Sequence, residues 1–276
     1  MIQFQYLFGA AAAFVLTAHA FVLPATTTTL RVEQTTRVPF VLFGWVQGSD
    51  GEWEWKEDNP DYVAPATSTS TTTAFVEASA TPQLPSGSYK PKQSLGQNFL
   101  RDGNTVAKII RAFHDDATRD RPIQKIVELG PGAGALTDKL VETYGTDALQ
   151  CIEIDDRSVE LLTDKHRGLR VRHEDVLQTD YPSLANEEGQ PLVVIGNLPY
   201  YITSQILFAL ADASHLGAVY CATVTMQWEV GQRMVAPTCT KDYGILSVVF
   251  QLYADVHCHF KIPPTVFYPK PKVDSA

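Results

Sequence analysis

Short apolar runs alternate with segments of helical period along most of this chain, and this alternation restricts the fold more than any other feature. The runs "KIVELG", "LQCIEID", "LRVRHEDV" and "PLVVIGN" are predicted to be buried strands. Segments such as "GALTDKLVETYG" and "TSQILFALADA", with apolar residues at helical spacing, separate them. "AVYCATVTM" and "LSVVFQLYADVHCHF" are predicted to be later strands. The pattern predicts an α/β fold with a mostly parallel, doubly wound sheet, which binds ligands at the carboxyl ends of its strands.

The composition excludes one simple class of function. The 276 residues carry 22 basic and 31 acidic side chains, a formal net charge of -9, so the chain as a whole is not a basic nucleic-acid binder. A site for a polyanion would therefore be a local patch. Hydrophobic residues make up 45% of the chain, which is enough for a sizeable core.

The first 88 residues have the composition of a targeting segment. Residues 1–20 are apolar and end in Ala-His-Ala, which is typical of a cleaved signal peptide, with a transmembrane anchor as the alternative. Residues 21–88 are predicted to be a transit peptide and a disordered linker, because they begin Thr-rich and end in Ser-, Thr- and Pro-rich stretches. The acidic stretch at 50–61 departs from that composition. Residues 89–276 are predicted to be the folded domain.

Two further expectations concern the targeting segment. A signal peptide followed by Phe21 and a Thr-rich stretch resembles the bipartite plastid presequences of algae with secondary plastids. This resemblance implies plastid localisation, with the mitochondrion as the alternative, and no stable membrane association after processing. The stretches "FVLFGWV" and "EWEWKE" are predicted to form a small hairpin around "QGSDG".

Polar features at three strand ends indicate a nucleoside-type cofactor. The turn "GPGAG" places Gly130, Gly132 and Gly134 between a strand and a helix, where glycine lets the backbone approach a ligand closely. Glu153 ends the second strand, about twenty residues later, and an acid at that distance can accept both ribose hydroxyls. Asp175 follows the third strand and could accept the amino group of an adenine. A tight turn is the alternative interpretation of the glycines.

The mouth of the fourth strand, "NLPY", indicates chemistry on an exocyclic amine. The lone pair of such an amine is delocalised into its ring, and the nitrogen is a poor nucleophile. The side-chain oxygen of Asn197 and the carbonyl of Leu198 could each accept one N–H, because Pro199 interrupts the regular strand ladder there. Tyr200 offers a face on which a base can stack. The alternative is a strand-to-helix turn with Tyr200 packed in the core.

Taken with these motifs, residues 90–275 resemble the small-subunit ribosomal RNA adenine N6,N6-dimethyltransferase family. "KPKQSLGQNFL" resembles its N-terminal signature, "VELGPGAGALT" its S-adenosylmethionine loop, and "IEID" and "HEDVL" its ribose-binding and adenine-binding strand ends. "IGNLPYYITS" resembles its catalytic motif, and "KIPPTVFYPKPKVDSA" one of its later segments. The resemblance implies a Rossmann-like methyltransferase fold, S-adenosylmethionine as cofactor and no metal.

The same resemblance assigns individual site residues. The implied cofactor contacts are Asn98, Leu100, Gly130, Glu153, Asp175 and Asn197, with Gly132 and Gly134 completing the glycine-rich turn. The implied catalytic residues are Asn197, Leu198, Pro199, Tyr200 and Phe267, of which Phe267 would be a second stacking residue for a flipped adenine.

Partners and rival functions also follow from the resemblance. The expected partner is small-subunit ribosomal RNA in a precursor of the small ribosomal subunit, bound by a monomer. Alternatives are a large-subunit methyltransferase of the macrolide-resistance type, and a non-catalytic ribosome-assembly or mitochondrial transcription factor on the same fold. The chain stops at "PKVDSA", inside a family motif, so a last strand and a C-terminal helical domain are expected to be missing.

Overall fold

The computed structural model describes residues 38–41, 46–47, 53–54, 81–82, 89–123 and 125–276. The predicted signal peptide and most of the predicted transit peptide lie outside the described residues, and both remain predictions. Within the described ranges, no helix is long and apolar enough to cross a membrane.

Eleven strands occur in the described part of the chain. They are β1 (Val38–Val41), β2 (Val46–Gln47), β3 (Trp53–Glu54), β4 (Phe99–Leu100), β5 (Ile126–Leu129), β6 (Leu149–Glu153), β7 (Arg170–His173), β8 (Leu192–Asn197), β9 (Val219–Thr225), β10 (Ala254–His257) and β11 (Phe267–Tyr268). Strands β2 and β3 form an antiparallel pair, which confirms the predicted hairpin, and β4 pairs with β11.

Seven α-helices separate or flank these strands in the same part of the chain. They are α1 (Gly103–Ala117), α2 (Ala135–Tyr144), α3 (Asp156–Lys165), α4 (Tyr181–Glu188), α5 (Thr203–His215), α6 (Trp228–Val235) and α7 (Ile245–Tyr253). Local sequence signals explain several boundaries. The Asp102 side chain accepts a hydrogen bond from the Thr105 amide and caps α1, and Gly145 ends α2.

The main sheet has seven parallel strands in the order β10-β1-β9-β8-β5-β6-β7. From β5 the chain moves outward to β6 and β7, and it then returns to β8 and continues towards the other edge. The strand order therefore reverses between β5 and β8, which is where such sheets bind ligands. This arrangement confirms the predicted parallel, doubly wound sheet.

Both faces of the sheet are covered, so the central strands are apolar on both sides. On one face, Leu192 and Val194 of β8 pack in a cluster with residues of α4, α5 and α7. On the other face, Val193 and Ile195 pack in a cluster with residues of α1, α2 and α3. This double burial explains why the strand runs lack a polar alternation.

The segment "LSVVFQLY" was predicted to be a strand, and this prediction is wrong. It lies in α7, and only Ala254–His257 of the longer run forms a strand. Leu246 and Phe250 of α7 are buried four residues apart, whereas Ile245 and Leu252 are exposed. The Gly244 amide donates to the Ser247 hydroxyl in the first turn of α7. This contact marks the start of the helix, and the sequence interpretation missed it because the residues around Ser247 are apolar.

The expected start of the folded region near residue 89 also needs correction. Strand β1 comes from the segment predicted to be a transit peptide and linker, yet it lies inside the main sheet. It pairs in parallel with β10 over Val38–Val41 and with β9 at Phe40 and Val41. Strand β10 lies at the edge of the described sheet, with β1 as its neighbour.

Candidate active site

A cleft opens at the carboxyl ends of β5, β6 and β8, at the reversal of strand order. It contains about 1200 Å³ of space between protein atoms, including solvent at its mouth. Its walls come from the segment before β4, from the turn after β5 and from the residues that follow β6, β7 and β8. The motifs singled out in the sequence therefore meet in one place.

The glycine-rich turn after β5 forms one wall of the cleft through Gly130 and Gly132. Both glycines have positive φ values, 61° and 54°, which side-chain-bearing residues rarely adopt. A Cβ atom on Gly132 would lie 2.8 Å from the ring of Phe99. Gly134 does not line the cleft. It precedes α2, where a Cβ atom would lie 2.8 Å from the side chain of Leu162, and its predicted cofactor contact stays a prediction.

Glu153 is the last residue of β6 and is 4% exposed. Its Oε2 accepts from the Gly132 amide and its Oε1 from the Asp155 amide, each at 2.9 Å. Burial raises the pKa of Glu153, and these two backbone hydrogen bonds oppose that effect. Each oxygen retains a lone pair, so the group can still accept hydroxyl donors from the cleft.

Asp175 lies two residues beyond β7 and contributes to the cleft wall. Its Oδ1 accepts from the Leu177 amide at 2.9 Å, which holds the side chain in the turn. The carboxylate has a second oxygen with which it can accept a donor from the cleft. The predicted position is therefore compatible with an adenine-binding role.

Residues 89–98 form what we call the N-terminal strap, a segment that closes one side of the cleft. Leu95, Gly96, Gln97 and Asn98 line the cleft, as does Leu100 in β4. Asn98 and Leu100 were predicted from the resemblance. Gly96 and Gln97 were missed, although the motif "GQNFL" contains both.

The side-chain amide of Asn197 is held from two directions at the end of β8. Its Nδ2 donates to the backbone carbonyl of Asn98 at 2.8 Å, and its Oδ1 accepts from the Thr225 hydroxyl at 2.5 Å. The Asn98 contact fixes which end of the amide is the oxygen, because a carbonyl cannot donate. Thr225, adjacent to Asn197 in the β8–β9 register, was missed because no local motif marks it.

The residues after Asn197 lead from the strand into α5. The Leu198 amide donates to the Thr225 carbonyl at 3.0 Å, and its side chain is buried. Pro199 precedes a 3-10 turn at Tyr200–Ile202. Leu198, Pro199 and Tyr200 all line the cleft, so the predicted catalytic motif forms a continuous wall there.

Tyr200 is attached to a distant part of the chain. Its hydroxyl lies 2.5 Å from that of Ser275, which pairs through its backbone with Ile262. Burial raises the pKa of Tyr200, so the phenol stays protonated at neutral pH. The neighbouring Tyr201 also lines the cleft and is 58% exposed, and the sequence interpretation gave it no role.

Phe267 is not at the cleft. It is 4% exposed and packs in the core cluster with Leu100 and Ile262. In this structure the ring therefore does not line the cleft, and its predicted stacking on a target base stays a prediction. The antiparallel pairing of β11 with β4 aligns Phe267 with Leu100 and turns its ring inward, while Tyr268 is 45% exposed.

Comparison with known proteins identifies similar chains. The family model described as ribosomal RNA adenine dimethylase matches residues 88–276. The chain is 46% identical over 204 residues to "Ribosomal RNA small subunit methyltransferase A" of Salinibacter ruber, covering 73% of this chain and 65% of that protein. It is 43% identical over 188 residues to the protein of the same name from Xanthomonas campestris, covering 67% and 68% of the two chains.

A solved structure gives the same result for the fold. The crystal structure of a dimethyladenosine transferase from Plasmodium falciparum matches with a TM-score of 0.51 and 26% identity, over 64% of this chain and 60% of that one. This chain spans about two thirds of the length of the curated relatives described above, 65% in the first case.

Proposed function

Since the chain belongs to the ribosomal RNA adenine dimethylase family, we propose that it methylates the exocyclic N6 amine of adenines in small-subunit ribosomal RNA, with S-adenosylmethionine as donor. Two methyl transfers to each amine would give the dimethylated product. The observation that carries the proposal is the amide of Asn197, held with a defined orientation in the wall of a cleft that also presents Glu153 and Asp175.

The cofactor wall, which we define as Gly130, Gly132, Glu153 and Asp175, has the donors and acceptors that a nucleoside requires. Glu153 would accept the ribose hydroxyls, and Asp175 the amino group of the cofactor's adenine. Gly130 leaves the backbone open beside them, because a Cβ atom at that position would meet nothing within 4 Å. When bound, S-adenosylmethionine supplies an electrophilic methyl group. The low exposure of Glu153 strengthens its hydrogen bonds, since water competes little there.

The residues that follow β8 would orient the target amine, which is the nucleophile. Oδ1 of Asn197 would accept one N–H of the target amine and the carbonyl of Leu198 the other. This draws the nitrogen towards a pyramidal geometry and frees its lone pair for attack. Tyr200 would stack against the target base after the base leaves its helix. The proton lost by the amine after transfer would pass to solvent.

The small-subunit substrate is supported by the names of the Salinibacter and Xanthomonas relatives, which both specify that subunit. The proposed partner is therefore a precursor of the small ribosomal subunit, bound by a monomer. Because the formal net charge is -9, contact with RNA would use a local basic surface.

Methylation of ribosomal particles tests this proposal. Purified protein and labelled S-adenosylmethionine are incubated with small-subunit particles that lack the modification, and primer extension then locates the methylated adenines. Transfer to small-subunit RNA is expected. Transfer only to large-subunit RNA would show that the small-subunit substrate is wrong, and it would favour the alternative of a macrolide-resistance methyltransferase. Cofactor binding by calorimetry without transfer to either particle would contradict the enzymatic proposal.

Plastid import is a separate part of the proposal. It is supported by the Ala-His-Ala site and by the Thr-rich, acid-poor stretch after it. A fluorescent protein fused behind residues 1–89 should enter the plastid after two cleavages, the first just before Phe21. Accumulation only in mitochondria would favour the alternative compartment, and accumulation only at the plasma membrane would contradict cleavage and import.

A further inference from the structure

Asp155 is a buried carboxylate with an unusual number of donors. Its side chain is fully shielded from solvent, whereas that of the adjacent Asp156 is 68% exposed. Lys92 Nζ donates to it at 2.9 Å, Gln97 Nε2 at 2.8 Å, and Arg157 Nε and Nη2 at 3.1 and 2.7 Å. A buried charge is tolerated only with such compensation. Two of these donors belong to the N-terminal strap.

The rest of the strap is attached to the same place. The Tyr89 hydroxyl lies 2.6 Å from that of Ser158 in α3. The Arg157 guanidinium lies 5.0 Å from the centre of the Tyr89 ring, and its Nη1 donates to the Lys90 carbonyl at 3.1 Å. The start of α3, centred on Asp155, therefore anchors the strap along its length.

Asp155 also contacts the cofactor wall through its backbone. Its amide donates to Oε1 of Glu153, whose other oxygen accepts from the Gly132 amide. The residue that holds the strap by its side chain thus holds the proposed ribose acceptor by its main chain. Displacement of Asp155 would disturb both.

The opposite end of the strap reaches the proposed catalytic amide. Gln97, which donates to Asp155, is followed directly by Asn98, whose carbonyl accepts from Nδ2 of Asn197. The Gln97 side chain also accepts from the Lys92 amide at 2.8 Å, which closes the strap into a compact turn. A short series of contacts therefore leads from Asp155 to Asn197.

We propose that Asp155 is a positioning residue for methyl transfer, which holds the N-terminal strap so that the Asn98 carbonyl fixes the amide of Asn197. This inference rests on the proposed function. Burial alone would raise the pKa of Asp155, but hydrogen bonds from Arg157, Lys92 and Gln97 outweigh burial and hold the pKa well below its ordinary range. The carboxylate is therefore charged at every pH at which the protein would work.

Asp155→Asn is the most specific variant for testing this role. Asparagine is as good a helix N-cap as aspartate and has nearly the same volume, so α3 keeps its start signal. The change removes the negative charge and one acceptor oxygen. Asp164→Asn is the matched control, because it makes the same change at an exposed position of α3.

Hydrogen exchange on the cofactor-free protein is the first measurement. The amides of Lys92, Leu95 and Gly96 are hydrogen-bonded within the strap. Asp155→Asn should speed their exchange by about tenfold or more, the range expected for losing charge-assisted bonds. Asp164→Asn should leave it unchanged. Equal exchange in both variants would overturn the anchoring role, whether or not the protein is an enzyme.

Single-turnover methylation is the second measurement. Asp155→Asn should lower the rate at saturating cofactor and RNA by about tenfold, because the Asn197 amide loses its fixed orientation. A change in cofactor affinity without a change in rate would mean that Asp155 positions only Glu153 in the cofactor wall, and it would overturn the role towards Asn197. If Asp155→Asn does not fold, Lys92→Met is the second variant. It removes one partly exposed donor to Asp155, and it should lower the single-turnover rate by a smaller factor.

A double-mutant cycle separates positioning from a general structural role. In an Asn197→Ala background there is no amide left to orient, so Asp155→Asn should cause little further loss of rate. Fully additive losses would overturn the inference. If wild-type protein transfers no methyl group at all, the proposed function fails, and the exchange measurement still decides whether Asp155 anchors the strap.

Discussion

The amide of Asn197 carries the most specific chemistry proposed here, so its removal should affect rate more than binding. Asn197→Ala deletes an acceptor that is used most in the transition state. The single-turnover rate on small-subunit particles should fall about a hundredfold, of the order of 3 kcal/mol by analogy with loss of one oxyanion-hole donor. Affinity for the particles should change much less.

The control for this experiment is Asn186→Ala, which truncates an exposed asparagine in α4, away from the cleft. It should transfer methyl groups at the wild-type rate. If Asn197→Ala also did so, the "NLPY" motif would be only a turn between β8 and α5.

Tyr200 offers a prediction that separates its ring from its hydroxyl. Tyr200→Phe keeps the stacking surface and loses only the contact with Ser275, so most of the activity should remain. Tyr200→Ala should weaken binding of the target RNA by about 1–3 kcal/mol, the value of one stacked base. Single-turnover methylation measures the first effect, and titration of an RNA fragment containing the target adenine measures the second.

Ser275→Ala provides the matching change on the other side of that contact. It should reproduce the small effect of Tyr200→Phe, and the double variant should be no worse than either single one. A large loss in Tyr200→Phe with none in Ser275→Ala would assign the hydroxyl a direct role in the site.

Among the secondary-structure elements, strands β5 and β8 are followed by the residues that form two sides of the cleft. Gly196 in β8 allows these two strands to lie close together. In the register, Gly196 is opposite Leu129. A Cβ atom on Gly196 would lie 2.8 Å from the Leu129 carbonyl oxygen and 3.2 Å from its Cβ. Gly196→Ala should therefore lower the free energy of unfolding by about 1–3 kcal/mol, as overpacking does.

Urea unfolding measures this loss. Gly244→Ala is the control, because a Cβ atom there would meet nothing within 4 Å and the backbone φ of Gly244 is negative. Unchanged stability in Gly196→Ala would mean that β5 and β8 can separate without cost, contrary to their central place in the sheet.

The predictions for these elements were successful where local signals were strong. Strand β5 and helix α2 were predicted because an apolar run, a glycine-rich turn and a helical period follow one another directly. Helix α7 was missed because an apolar segment of that length fits a buried strand equally well. Strand β1 was missed because its neighbours β9 and β10 lie far away along the chain.

The stability of the whole molecule should depend on pH, and the buried carboxyl of Glu128 should contribute to this dependence. Burial raises the pKa of Glu128 from its ordinary value of 4.5 to about 8, and the Cys151 thiol, 3.7 Å away, opposes this by donating a hydrogen bond. Between these two values the folded protein holds a proton that the unfolded chain releases. The free energy of unfolding should therefore fall as pH rises from about 4.5 to about 8.

Glu128→Gln should reduce that pH dependence, because glutamine does not ionise. Urea unfolding at several pH values should show a flatter profile for Glu128→Gln, with the largest gain relative to wild type at about pH 8 and above, of the order of a few kcal/mol. Glu160→Gln, an exposed change in α3, should keep the wild-type slope. Parallel profiles for Glu128→Gln and wild type would contradict the raised pKa.

Local patterns in the chain were enough to predict the parallel sheet, the cleft at its carboxyl ends and most residues of that cleft, among them Glu153, Asp175 and Asn197. These features are encoded locally, by hydrophobic period and by polar residues next to strand ends. Their assignment to a methyltransferase family came from several such motifs occurring in order.

The way in which those side chains are held depends on contacts between segments that are distant along the chain. Asn197 is oriented by a carbonyl 99 positions away, and Tyr200 contacts a hydroxyl 75 positions away. The burial of Phe267 and the attachment of Gln97 to Asp155 likewise depend on contacts between distant segments. Such contacts form only when the chain packs, and one sequence carries no periodic or adjacent signal for them.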